Sequence, residues 1–205
     1  MSKKSQLLSL IKSYKDSQNN VYESILEVNK NSELTPQGKE KRINELVDQF
    51  TPKVINIHDN AMNLINGAIE DLQNKWKANS TGRLSDTGYQ VGLANTISMI
   101  EKGVITDSED FKNIIEVYKD DYNALATIRT LIDSERIDLL TLIPKNNREY
   151  IKKSLSDLKN NIDNYISQYQ IQNDMNLVFN GMINFIENRL RDDLSIISWE
   201  EMSNQ

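Results

Sequence analysis

Between Thr35 and Ala78 the positions Ile43, Val47, Phe50, Val54, Ile57, Ala61, Leu64 and Ala68 follow one another in alternating steps of four and three. All eight are apolar or small, and the residues between them are mostly Glu, Asp, Gln, Asn and Lys. On a helix this period draws one continuous seam, and a seam of that length has to be buried against something. No other stretch restricts the possible folds as strongly.

The start of this helix is marked by Thr35 as N-cap and Pro36 in the first turn. Pro52 lies within it and removes one backbone donor. Because Phe50, Val54 and Ile57 keep the same phase on both sides of the proline, the sequence predicts a kink and not a break. Upstream, Leu7, Ile11, Tyr14, Gln18, Val21, Ile25 and Val28 repeat the four-three step and predict a helix over about residues 3–29, with Gln18 at a partly exposed level. The short link through Asn29, Asn31 and Ser32 makes the two helices an antiparallel pair. The first is too short to cover the second, which leaves Leu64, Ala68, Leu72 and Trp76 to be covered by later helices or by a second chain.

Only seven Gly and three Pro interrupt 205 residues, so elements are few and long, and the chain reads as all-α. The predicted organisation is an N-terminal long helical hairpin (1–78) packed on or extending from a small helical core (84–143), followed by a long C-terminal helical segment (146–205). In the core, Ser85 or Asp86 caps a helix whose inner face is Tyr89, Leu93, Ile97 and Ile100 and whose C′ residue is Gly103. Gly88 and Gly92 leave a small face on it, suited to close packing. Thr106 and Glu109 have capping-box spacing for one helix with Phe111, Ile115, Tyr118, Tyr122, Leu125 and Ile128 or Ile132 inside. A further turn, 134–143, ends at Pro144. The C-terminal seam is Ile151, Leu155, Leu158, Ile162, Tyr165 and Tyr169, then Met175, Phe179, Met182, Ile186 and Leu190 after an amide-rich bridge. The tail DDLSIISWEEMSNQ adds Leu194, Ile197, Trp199 and Met202 as candidate contact residues, docked on this chain or offered to a partner.

The sequence holds little that points to catalysis. With no Cys, neither disulfides nor thiolate metal sites can form. His58 is the single histidine and reads as a packing or rim residue. Acidic pairs such as Asp120-Asp121 are sequence neighbours that do not face each other on a helix, and they read as solvated. No phosphate-binding glycine loop or nucleophile motif occurs. Catalytic, metal and cofactor sites are therefore expected to be absent. Residues 1–78 carry 11 basic and 10 acidic side chains, and residues 79–205 carry 13 and 20, a balance that argues against a nucleic-acid partner. The N-terminal apolar cluster is too short and too soon interrupted by Lys12 and Lys15 for a signal peptide or a membrane span.

The runs LTPQGKEKRINELVDQFTPKVINIHDNAM, YQVGLANTISMIEKG and YKDDYNALATIRTLI, within residues 34–132, resemble helical proteins of bacteriophages and prophages of low-GC Gram-positive bacteria, often encoded among virion-structure genes. The 25 Asn and 24 Ile against seven Arg fit an AT-rich genome. The resemblance implies a non-enzymatic head or virion-assembly protein, partnered by copies of itself and by other phage structural proteins, in the host cytoplasm during infection or in the virion. The acidic end departs from the basic capsid-binding segment of phage scaffolding proteins. A phage-encoded inhibitor or adaptor that binds a host protein is the alternative, suited by the acidic surface and the apolar-acidic tail.

Overall fold

The computed structural model describes residues 2–167 and 176–193, and within these the chain is all-α with no strand. The chain divides into two compact units, each taken by itself here: residues 1–70 with 150–205, and residues 71–149. The C-terminal helices thus belong to the same unit as the hairpin.

In the first unit, α1 (Lys3–Lys30) starts at Ser2, whose hydroxyl accepts from the Ser5 amide at 3.2 Å. It ends at Asn31, whose N–H bonds back to the Glu27 and Val28 carbonyls. The Asn31 side chain accepts from the Glu33 amide at 2.8 Å, an Asx turn that reverses the chain. Lys39 Nζ then donates to the Asn29 carbonyl at 2.7 Å, satisfying one of the acceptors left at the end of α1. Thr35 caps α2 (Pro36–Asn79) through Oγ1, which accepts from the Gly38 amide at 3.2 Å.

The helix α2 is unbroken across Pro52, as the preserved phase requires, and Pro52 lies on the exposed side. At 44 residues it is about 66 Å long at 1.5 Å per residue. The antiparallel pairing is fixed by Tyr14 against Phe50, with ring centroids 6.4 Å apart. At the other end Lys3 Nζ lies 3.5 Å from where a Cβ on Gly67 would stand, so α1 runs out near residue 67 of α2.

The helix α7 (Arg148–Tyr165) contributes Leu155, Leu158 and Ile162 to the buried set, and Ile166 follows it. Tyr14 donates from its hydroxyl to the Ser167 carbonyl at 3.0 Å, and burial raises its pKa to about 12 against the lowering effect of that bond. The helix α8 (Asn176–Asn188), continued by a π-helical turn at Arg189–Asp193, lies antiparallel on α1. Lys4 donates to the Arg191 carbonyl at 3.3 Å, Lys15 to Asn184 at 2.7 Å and Asn180 to Asn19 at 3.4 Å.

Several expectations need correction here. Ile65 is fully buried and Leu64 only half, so the inner line of α2 drifts off the strict 3.5-residue period. Ile166 in place of Tyr165, and Ile183 in place of Met182, show the same shift by one. A helix covered on more than one side follows the true period of 3.6, which a coiled-coil reading does not. Gln18 is 1% exposed, not partly exposed, and its Oε1 has no hydrogen-bond partner among the described residues. The amide-rich bridge, Tyr169 and Met175 lie outside the described residues, as does the Phe179 side chain.

In the second unit, α2 ends through Ser80 into a 3-10 turn at Thr81–Ser85, then α3 (Thr87–Glu101) starts at Asp86, whose carboxylate accepts from the Tyr89 amide at 3.1 Å. Gly103, at φ 66°, closes it: the Val104 amide reaches the Met99 carbonyl and the Gly103 amide that of Ile100. The predicted helix after it is in fact two. Asp107, not Thr106, caps α4 (Ser108–Tyr118) by accepting from the Glu109 and Asp110 amides. Asp121 caps α5 (Tyr122–Leu131), and the chain turns at Lys119–Asp121. The short α6 (Ile137–Leu140) follows. Phe111, Ile115, Tyr118, Ala124, Leu125, Ile128, Leu139 and Ile143 form one buried cluster, with Ile128 as its member and Ile132 only partly buried against it. A buried aliphatic or aromatic side chain of this kind stabilises by about 1.5–3 kcal/mol.

Candidate interaction surfaces

In the first unit α1 and α2 line an open groove of about 530 Å³ near the start of α1. Leu10 and Leu64 supply its apolar surface, Lys3 its one charge, and Gln6, Asn60 and Asn63 amides on its walls. Gly67 keeps the wall low at the Lys3 end. Among the candidate contact residues, Leu64 therefore lines a groove, whereas Ala68 is fully buried.

His58 sits elsewhere on this unit, between Asp59 at 3.2 Å and Asp163 of α7 at 3.1 Å. It ties α2 to α7 as a rim residue. No three His, Asp or Glu side chains among the described residues come together as metal ligands.

In the second unit Leu72 and Trp76 are half-buried. The Arg148 guanidinium lies over the Trp76 ring at 5.5 Å and over Tyr122 at 4.6 Å. Burial lowers the Arg148 pKa, opposed by the Tyr122 and Asp121 charges. Its Nε and Nη2 make no hydrogen bond among the described residues, so the aromatic faces are its main compensation. Trp76 thus serves an internal contact. The end of α2, expected to be covered by later helices or by a second chain, is covered to this extent by Arg148 of the same chain.

The helix α3 is held by its polar and aromatic side. Tyr89 donates to Asp121 Oδ2 at 2.6 Å, its ring meets Tyr118 edge-on at 5.7 Å, and Thr96 bonds the Tyr118 hydroxyl at 3.2 Å. Burial first, then the Asp121 bond and charge, raise the Tyr89 pKa to about 12, while the Arg83 guanidinium over its ring acts in the lowering direction. Asp121 is 4% exposed and accepts three bonds, from Tyr89 and from the Asn123 and Ala124 amides, so its reading as a solvated carboxylate is corrected.

The outer side of α3 is different. No α3 residue is fully buried, and its first fourteen residues carry no charge. Gly88, Val91, Gly92, Ala94, Asn95 and Met99 are all exposed, with Leu84 before them and Val104 after. Val91 stands 55% exposed, Leu84 69% and Val104 61%. The contact expected at the glycines is met on one side only: a Cβ at Gly88 would touch only Asp86 of its own turn, whereas one at Gly92 would be in ordinary contact with the Tyr118 hydroxyl of α4 at 3.8 Å. The small face is legible in the sequence, and its exposure is not. An uncharged, apolar and backbone-accessible helix face of this length is the kind of surface that marks a protein contact.

Leu194, Ile197, Trp199 and Met202 lie outside the described residues. No described helix is long and apolar enough to cross a membrane.

The described residues define a class by fold alone: an all-α protein of two compact units. Comparison with protein-family models, with curated proteins and with solved structures gave no match to the chain.

Proposed function

We propose that this chain is a non-enzymatic phage assembly or structural protein of the head or virion, working through helix-mediated contacts with copies of itself and with other phage structural proteins. The exposed face of α3 carries the reading. Leu84, Val91, Met99 and Val104 are apolar side chains that a monomer would leave in water, and no charge interrupts the helix from Thr87 to Ile100. Burial of such a face against a second helix returns roughly 25 cal/mol per Å² of apolar surface, and Gly88 and Gly92 let two backbones approach closely. The resemblance of residues 34–132 to helical proteins of phage virion-gene neighbourhoods supplies the biological setting. Mass spectrometry of purified particles and of assembly intermediates tests that setting, and the chain is expected in one or both. Absence from both, with one host protein captured in stoichiometric yield, would replace this reading by that of a host-directed adaptor.

A further inference from the structure

We propose that the groove between α1 and α2 is the docking site of this chain's own C-terminal segment, Ile197–Met202, and that the segment occupies it in cis. The inference concerns the first unit and does not depend on the α3 face.

The chain's path argues for it. Because α8 runs antiparallel to α1, the last described turn ends at the start of α1, where Lys4 holds the Arg191 carbonyl at 3.3 Å. The groove lies at this same end, with Lys3 and Gln6 on its wall. It opens on the flank of α1 opposite α8, so the chain must first cross a helix about 10–12 Å wide. Three to four extended residues at about 3.3 Å each do this, which brings the chain from Asp193 to about Ile197 at the groove mouth.

What arrives there fits. Ile197, Trp199 and Met202 put three large apolar side chains into six residues, matched to Leu10 and Leu64. Glu200 and Glu201 bring the only charges of residues 194–205, both negative, to a groove whose only charge is Lys3. The Asn63 amide can serve the backbone of a segment lying beside it. The groove volume of about 530 Å³ falls in the 300–1,000 Å³ range of pockets that enclose a ligand-sized group such as one or two large side chains.

The absence of Cys makes the test clean. In the full chain, Gln6→Cys with Ser198→Cys reports contact by mild oxidation, and Asn20→Cys with Ser198→Cys, 14 residues along α1, is the control. A short tether gives an effective concentration near millimolar, so at micromolar protein the Gln6 pair is expected to form an intramolecular disulfide at least about tenfold faster than the control. Adding Leu64→Asp should bring it down to the control rate with unchanged helical circular dichroism. Equal rates for the two pairs would overturn the proposal, as would insensitivity to Leu64→Asp. Disulfides found only between chains would overturn it in favour of a second copy as occupant.

Discussion

Asp121 shows how much a single residue can carry. Its carboxylate caps α5 through two amides and accepts the Tyr89 hydroxyl, so one side chain both ends the turn after α4 and anchors α3. Asp121→Ala removes the cap and leaves a half-buried hydroxyl unpaired, and is expected to lower unfolding free energy by about 2–3 kcal/mol in urea titration. Gln18 is the opposite case. Its buried Oε1 lacks a partner among the described residues, so Gln18→Met is expected to raise stability by about 1 kcal/mol in the same measurement. Tyr14 makes stability depend on alkaline pH. Its folded pKa is raised from 10.0 to about 12, so the folded state keeps a proton that the unfolded chain gives up. The stabilisation is whole below pH 10, fades as pH rises through about 12, and amounts to about 2–3 kcal/mol. Tyr14→Phe should flatten the loss of stability between pH 10 and 12, followed by circular dichroism against denaturant.

At the scale of elements, period and caps carried most of the architecture. Thr35, Pro36 and the phase across Pro52 located α2 and its continuity, and Gly103 located the end of α3. Asp120-Asp121 could equally be solvated helix residues or a turn with a cap. Only the Tyr89 hydroxyl, 32 residues away, makes the second reading the stable one, and local pattern does not contain that contact. The exchange of Leu64 for Ile65 has a similar origin, since which of two adjacent apolar residues turns inward depends on how many helices surround α2. For the candidate surfaces, the uncharged stretch of α3 was visible in the sequence, but its exposure was not. A small, apolar helix face reads the same whether a neighbour in the chain or another molecule covers it. Pro52 gives a prediction of its own: it deprives the Asp48 carbonyl of its amide partner, so Pro52→Ala should stabilise the chain by about 1–3 kcal/mol in thermal or urea unfolding.

For the whole molecule, what holds each unit together is distinct from what the unit exposes. The first unit buries the central part of α2, pairs it with α1 and α7, lays α8 on α1 and leaves a groove. The second buries a cluster around Phe111 and Ile128 and leaves the outer face of α3 bare. Val91 is exposed, so Val91→Glu is expected to leave helical content unchanged and the unfolding free energy of the dissociated chain within about 0.5 kcal/mol of the parent, as for surface substitutions in general. Its effect should fall on association alone. The most direct test is therefore solution mass by sedimentation equilibrium, from micromolar to tens of micromolar, for the parent chain and for Val91→Glu. The parent should rise above the 23.6 kDa of one chain as concentration increases, and Val91→Glu should hold at 23.6 kDa. A parent chain that stays at 23.6 kDa throughout, or a Val91→Glu chain that associates equally well, would contradict the account.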